Sequence, residues 1–444
     1  MRLLERFQEF IEKRVPDPLT FALALTAFMA LLALALTPTQ PNTLLMTWGD
    51  SLSSLLTFTM QIGLTIILAY VLSQTPLMQS GLKRLARLAK TPTQAYILVI
   101  LTAAAFYLIS WPLGPITGAL VAREIAQEAV ARNNPVHYPL MAVGALSGYA
   151  VWEMGYSSSI ALAVATEGNP THDIIGRLIP IQETLLTHWN LLSIATTLAV
   201  IIATVLALHR QFNLKKPYIP EDLVMPLETS YEGAPEVRLP PGRRLWSLLT
   251  GLLLVGYVVG WFAQQGLALE LNVVNWTFLA AGLLLVKSLP HYSTLFADGA
   301  RVAAPTLLQY PLYAGIMGMA IQSGLAQQFT QGLVAIATQT TLPVIAFLSA
   351  GVINIFIPSG GAQWALQGPA FIEAAKFLEV DLGLIAMSVA YGDQWTNLIQ
   401  PFVAIPLLAL TGLRLKHIFG MALVLCAATS VPLVTGLLIG NLQG

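Results

Sequence analysis

Charge is what this sequence has least of. Of its 444 residues only 10% are Asp, Glu, Lys or Arg, while 56% are hydrophobic and the mean hydropathy is +0.69. A soluble domain carries roughly 25% charged residues, so the chain lacks the polar surface that a water-soluble protein of this length needs. It reads as a polytopic protein of the lipid bilayer. Cysteine is nearly absent as well: Cys426, alone in an apolar run, leaves no disulfide framework and no thiolate metal site. His137, His172, His188, His209, His291 and His417 are scattered among loops and span ends without metal-ligand spacing, as interfacial histidines would be. There is no GxxxxGK[ST] phosphate loop, which argues against an ATP-driven pump. No basic groove suits a nucleic acid, and no cofactor is expected beyond a coupling ion, Na⁺ or H⁺. No small-residue cleavage site follows the first apolar run. Residues 1–17 therefore read as a cytoplasmic amphipathic N-terminus, and the first span as a retained signal-anchor.

What is present is a series of apolar runs. Those near the roughly 20 residues needed to cross a bilayer fall at 18–37, 52–74, 188–209, 244–262, 273–289, 303–321 and 415–442. Two longer stretches, 137–166 and 382–411, are interrupted by polar residues and glycine and read as broken spans. Two more, 93–130 and 342–378, are broken near the middle by Pro and Gly and read as re-entrant hairpins. The expected fold is an all-α polytopic membrane protein with about nine transmembrane helices plus two re-entrant hairpins.

An internal repeat organises these pieces. At a constant offset Asp50 falls on Asp298, Gln61 on Gln309, Gln74 on Gln322 and Ser110 on Pro358. The order span, span, surface helix, hairpin, broken span, span recurs in 18–209 and 263–444. A proline-rich cytoplasmic linker, 210–243, and an unpaired connecting helix, 244–262, lie between the copies. The unpaired span turns the second copy over, giving an inverted-topology repeat. With the N-terminus inside, every Lys and Arg except Arg177 and Lys376 falls on the cytoplasmic side. This places the chain in the cytoplasmic (inner) membrane with its C-terminus outside. The linker is read as a plain connection in preference to a regulatory one.

The chemistry available sits at the breaks and is mostly uncharged. At the second hairpin tip Pro358, Gly360 and Gly361 free the backbone, and Ser359 is placed to cap a helix starting near Ala362. A helix N-terminus offers unpaired N–H groups and about half a positive charge, suited to a carboxylate. Gln363 and Gln367, four residues apart, share a face, and Trp364 would wall an apolar pocket. A glycine kink for close helix packing is the alternative, but Pro358, Gly360 and Gly361 with two glutamines are more than a kink needs, so a binding site is the reading taken. The first tip offers Ser110, Trp111, Gly114 and Thr117. The broken spans add Glu153, Ser157, Ser158 and Ser159 in the first copy. In the second they add Asp393, Gln394, Trp395, Thr396, Asn397 and Gln400, with Asn354 just before the hairpin tip. An ionisable residue at membrane depth is a functional candidate by default. Asp393 and Glu153, with Asn354 and Gln400, are the coupling-ion candidates; the others are substrate candidates. No deep cation faces the tips, which favours a small monocarboxylate with a short apolar tail over a dicarboxylate or phosphate ester.

INIFIPSGGAQWALQGP (353–369) and AYGDQWTNLIQPFVAIPLLAL (390–410) closely resemble the short-chain fatty acid transporter family, the acetoacetate/butyrate carriers of bacteria. The resemblance extends to 15–26, 46–52, 89–95 and 165–180, nearly the whole chain. It implies inverted repeats, paired hairpins and broken helices, often in a homodimer working by an elevator-like movement. Two positions depart from the family pattern: Glu153-Met154-Gly155-Tyr156 stands where glycines are usual, and Gln363 where His is expected. Both lie at the expected site.

The expected function is thus symport of short-chain fatty acids such as butyrate or acetoacetate, driven by H⁺ or Na⁺. Its nearest alternative is transport of another organic anion, such as a dicarboxylate. A membrane-embedded hydrolase using Ser359 would need a base within hydrogen-bond reach of that hydroxyl, and no His is placed to serve. A passive channel would not need two inverted hairpins.

Overall fold

The computed structural model describes residues 10, 14, 16–167, 169, 171–224, 243–266, 270–286 and 288–443. Most of the expected amphipathic N-terminus and linker residues 225–242 therefore lie outside the described residues. The rest is all α-helical apart from one bridge between His137 and Tyr218. The helices are α1 (Pro18–Leu36), α2 (Pro41–Ser51), α3 (Leu56–Ser73), α4 (Pro76–Ala86), α5 (Pro92–Ile109), α6 (Leu113–Ala131) and α7 (Tyr138–Leu146). There follow α8 (Ser159–Val164), α9 (His172–Ile175), α10 (His188–Phe212), α11 (Arg243–Gln265), α12 (Leu271–Leu285) and α13 (Leu289–Gln322). The chain ends with α14 (Leu325–Val334), α15 (Leu342–Asn354), α16 (Gly360–Phe377), α17 (Leu382–Thr396), α18 (Pro401–Thr411) and α19 (Leu415–Gln443). Short 3₁₀ turns occupy Ser147–Ala150, Trp152–Met154 and Asn397–Ile399, inside the two stretches read as broken spans.

Local chemistry sets many of these starts. Asp17 accepts from the Leu19 and Thr20 amides at 3.0 Å ahead of Pro18, and Thr91 with Gln94 forms a capping box ahead of Pro92. Among the described residues α1, α3, α5, α10, α11 and α19 are long and apolar enough to cross a membrane. The chain is an all-α polytopic membrane protein. Two boundaries differ from the apolar runs. The run 303–321 is only the latter half of α13, whose first half carries the Asp298–Arg301 ion pair and so escapes a hydropathy reading. Helix α2, with Asn42, Thr47, Asp50 and Ser51, is too polar to register as a run; it packs on α13.

The helices sort into two packing groups. In one, α1, α2 and α3 surround α13, α12 lies between α3 and α11, and α11 packs chiefly on α12 with most of its apolar length exposed. The other gathers α5–α10 and α15–α19. Its centre is the interrupted helices: every residue of α7 is buried, as is every residue from Gly383 to Gln394 in α17. The groups meet where α18 lies against α13 and α6 against α3.

The start of the linker is a strap. The Tyr218 amide donates to the Val136 carbonyl at 2.8 Å and the Tyr138 amide to the Tyr218 carbonyl at 3.0 Å. Further on, the Val224 amide donates to the Gly412 carbonyl at 2.7 Å. Asp222 is held by Lys416 Nζ at 2.6 Å and His417 Nε2 at 2.9 Å. Segment 213–224 thereby joins the start of α7 to the turn between α18 and α19. The Lys416 hydrogen bond above all, with His417 adding, pulls the Asp222 carboxyl down to about 2 against the opposing effect of burial. A folded-state value below the unfolded one stabilises fully above the ordinary carboxyl range near ~3.9 and is lost as pH falls toward the folded value. The Asp222 carboxylate is therefore charged throughout pH 5 to 8. Replacing Asp222 by Asn should loosen it by about 1 kcal/mol, as for an exposed ion-pair cluster, or roughly fivefold. Hydrogen exchange of the Val224 amide checks this; an unchanged rate would mean that the backbone bonds alone hold the strap.

Candidate functional site

The second tip begins where α15 ends at Asn354 and α16 starts at Gly360, with Ile355–Ser359 between them out of the helix. Helix α16 starts two residues earlier than expected, and Ser359, although in the N-cap position, makes no side-chain cap bond. The two glutamines share a face as their spacing requires, but that face is turned onto α15. Gln363 Nε2 donates to the Ala350 carbonyl at 2.8 Å and to Gln367 Oε1 at 3.1 Å; Gln367 Nε2 donates to Ser349 Oγ at 2.8 Å and Thr330 Oγ1 at 3.1 Å. Trp364 is fully buried in the apolar cluster of Phe347, Phe371 and Tyr391. Gln363 and Trp364 thus hold α16 to its neighbours.

Gly360 faces the other half of the chain. A Cβ there would lie 2.2 Å from Ser159 Oγ and 2.7 Å from Glu153 Oε1, so only glycine allows this approach. Glu153, fully buried, sits at the start of α8. Ser158 Oγ donates to its Oε2 at 2.5 Å, Ser159 Oγ donates to Oε1, and the Ile160 amide donates to Oε2 at 3.3 Å. Hydroxyls and a helix amide thus do for this carboxylate what water would do outside. The Glu153 amide in turn donates to Gln394 Oε1 at 2.9 Å. The breaks at 152–159, 358–360 and 394 converge on one point.

Next to Gln394 in the chain is Asp393, 1% exposed, with neither carboxylate oxygen hydrogen-bonded. Asn354 Nδ2 lies 2.8 Å from the Asp393 carbonyl, 3.0 Å from Thr396 Oγ1 and 2.7 Å from Asn397 Oδ1, which ties α15 to the break in α17–α18. Asn354 Oδ1 and Gln394 Nε2 are buried without partners. Gly392 makes the close packing of α17 on α15 feasible: a Cβ there would lie 2.1 Å from the Phe347 carbonyl.

Other expected residues are occupied elsewhere. Gln400 Nε2 donates to the Ile355 carbonyl at 2.8 Å while its Oε1 caps α18 at the Phe402 amide, 3.1 Å away. Trp395 Nε1 donates to the Cys426 carbonyl at 2.7 Å, and Ser157 Oγ donates to the Tyr107 carbonyl at 2.6 Å. At the first tip Trp111 stands between Phe58 and Trp152, ring centroids 6.1 and 6.2 Å away, and Gly114 packs on the Tyr107 ring. Gly361 borders open space. Ser159 was visible only as one of three adjacent serines; its contact with Glu153 sets it apart.

The family model described as short chain fatty acid transporter matches residues 1–439. The chain belongs to the short-chain fatty acid transporter family. A relative from Escherichia coli (strain K12) is 36% identical over 98% of both chains. Another, from Haemophilus influenzae (strain ATCC 51907 / DSM 11121 / KW20 / Rd), is 32% identical over 96% of this chain and 97% of its own. Both are provisionally named short-chain fatty acid transporters. Among solved structures, the YdaH transporter of Alcanivorax borkumensis aligns over 96% of this chain and 98% of its own at 14% identity, TM-score 0.39. MtrF of Neisseria gonorrhoeae aligns over 98% and 97% at 13% identity, TM-score 0.35.

In this family member the tip residues divide by what they touch. Gln363→Leu removes two buried hydrogen bonds and leaves the Ala350 carbonyl and the Gln367 amide short of a partner, about 1–3 kcal/mol of stability. Ser359→Ala, with no cap bond to lose, should leave the thermal midpoint where it is. A thermal-shift comparison of the two variants checks both; equal destabilisation would contradict the assignment.

Proposed function

We propose that this protein is a symporter of short-chain monocarboxylates such as butyrate or acetoacetate in the cytoplasmic membrane. One observation carries the reading: Glu153, a buried carboxyl group held by hydroxyls and a helix amide, lies against the glycine tip, and a second buried carboxyl group, Asp393, is the chain neighbour of the Gln394 that bonds the Glu153 amide. A carboxylate substrate arriving at Gly360 would make a third like charge in a dry site, which is prohibitive unless cations enter with it. The substrate's own charge thus calls for the coupling ion, H⁺ or Na⁺. Asp393, with both oxygens unengaged, takes the ion; the Ser158 and Ser159 hydroxyls and the amides of α8 take the substrate carboxylate once Glu153 is neutralised.

The two packing groups supply the moving parts. The group around α7 and α17 carries the site and slides against the group around α13, the chain working as an inverted-repeat carrier with 93–130 and 342–378 as re-entrant hairpins. The N-terminus is cytoplasmic, the C-terminus outside, and a homodimer holds the outer group still. Purified protein in liposomes should accumulate labelled butyrate or acetoacetate under an imposed H⁺ or Na⁺ gradient. Uptake driven by neither would end the symport reading. Counterflow with acids of two to six carbons then sets the preferred chain length.

A further inference from the structure

We infer that the cavity between α13 and α18 is the cytoplasmic passage of the substrate, and that the stacked rings of Phe58, Tyr310 and Phe402 close it off from the Glu153 site. The inference rests on the transport reading above and on the cytoplasmic placement of Arg301 and Lys416. The cavity holds about 710 Å³, within the ~300–1,000 Å³ range of small-molecule sites. Its rim carries Arg301, Arg414 and Lys416, each paired with Asp298 or Asp222, so both signs are present there. Inward the walls turn apolar, with Val302 and Pro305 on α13 facing Ile405 and Leu408 on α18. Two polar side chains stand among them, Tyr70 and Gln309, each 5% exposed, and Gln309 Oε1 has no partner. Apolar walls with only two buried polar side chains, a phenol and an amide, suit a short acyl chain with one carboxyl group.

Helical register says what ends the cavity. Val302, Pro305 and Gln309 lie on one face of α13, and the next residue on that face is Tyr313. On α18, one turn before Ile405, is Phe402. The Tyr313 ring packs edge-on against Phe402 at 5.1 Å, Tyr310 stacks on Phe402 at 3.9 Å, and Phe58 lies 5.9 and 6.5 Å from these two. Beyond the stack, Trp111 contacts Phe58 on one side and Trp152, the neighbour of Glu153, on the other. The rings come from α3 and α13 in one packing group and α18 in the other. A movement of one group past the other must part them. Ring pairs of this kind add little beyond their buried area, so the barrier can open and reclose.

Thiol labelling of the full-length protein tests this independently of transport. In a Cys426→Ala background, Ala409→Cys reports on the cavity wall and Ser110→Cys on the far side of the stack. A membrane-impermeant anionic thiosulfonate should label Ala409→Cys in inside-out vesicles and not in right-side-out ones. Ser110→Cys should label slowly from the cytoplasmic side, and adding Phe402→Ala should speed it at least tenfold without changing the Ala409→Cys rate. Tyr310→Leu, a milder change, should give a smaller increase and decides the matter if Phe402→Ala fails to fold. Ala409→Cys unreactive from the cytoplasmic side, or Ser110→Cys unmoved by either ring substitution, would overturn the passage. If the labelling behaves as expected but no gradient drives butyrate uptake, the passage stands and the symport reading falls.

Discussion

Replacing Asp393 with asparagine is expected to abolish gradient-driven accumulation of butyrate, by tenfold or more, while exchange of butyrate for butyrate continues. Asparagine has the size of aspartate and keeps α17 packed on α15, so the shape of the site survives. It cannot carry a charge or a proton, so the ion that neutralises this position has nowhere to bind. Both Asp393 oxygens are buried without a hydrogen bond, so the substitution leaves no new donor unsatisfied beyond its own amide. Removing a buried unpaired carboxyl also removes a desolvation cost. The thermal midpoint of the variant should therefore hold or rise while accumulation is lost. A stable variant that still accumulates butyrate would move the coupling site to Glu153.

Gly360→Ala is expected to lower transport at least fivefold, and Gly361→Ala by less than twofold. The two glycines are adjacent and both open α16, so the effect of alanine on helix propensity is shared; it favours alanine by roughly 0.5–1 kcal/mol. What differs is the space. A methyl group at Gly360 would sit 2.2 Å from Ser159 Oγ and 2.7 Å from Glu153 Oε1, whereas nothing lies within 4 Å of one at Gly361. Relief requires the Ser159 hydroxyl to turn away, giving up its hydrogen bond to Glu153, or the tip to withdraw. Overpacking of this kind costs about 1–3 kcal/mol, equivalent to roughly 5- to 150-fold. Initial rates of counterflow compare the pair. Equal rates would show that the Gly360 contact is ordinary packing.

Much of the fold was legible because its signals are local. Pro18, Pro92 and Pro401 each stand at the first position of a helix, and the helices stop near Ser110, Asn354 and Asn397, where Pro and Gly or polar residues cluster. Where charge and apolarity mix, the reading failed: α2 was missed, and the Asp298–Arg301 half of α13 was left out of its span. The site was legible in its residue types but not in their partners. Gln363 and Asp393 both read as polar groups at a break. Gln363 is zipped onto Ala350 and Gln367, while neither carboxylate oxygen of Asp393 has a hydrogen-bond partner.

By itself the sequence determined the environment, the helical class, the family and the places where the helices break. Run length, residue type and local capping act within a few residues of chain, and all of these can be read in order. Only the tertiary structure decided that Glu153 meets Gly360 and Gln394, the last 241 residues away in the chain, and that Gln400 and Trp395 are occupied with neighbouring backbone. Helical periodicity says which residues share a face, but packing chooses what that face meets, and the missing Cβ of Gly360 takes effect only once Ser159 and Glu153 are beside it.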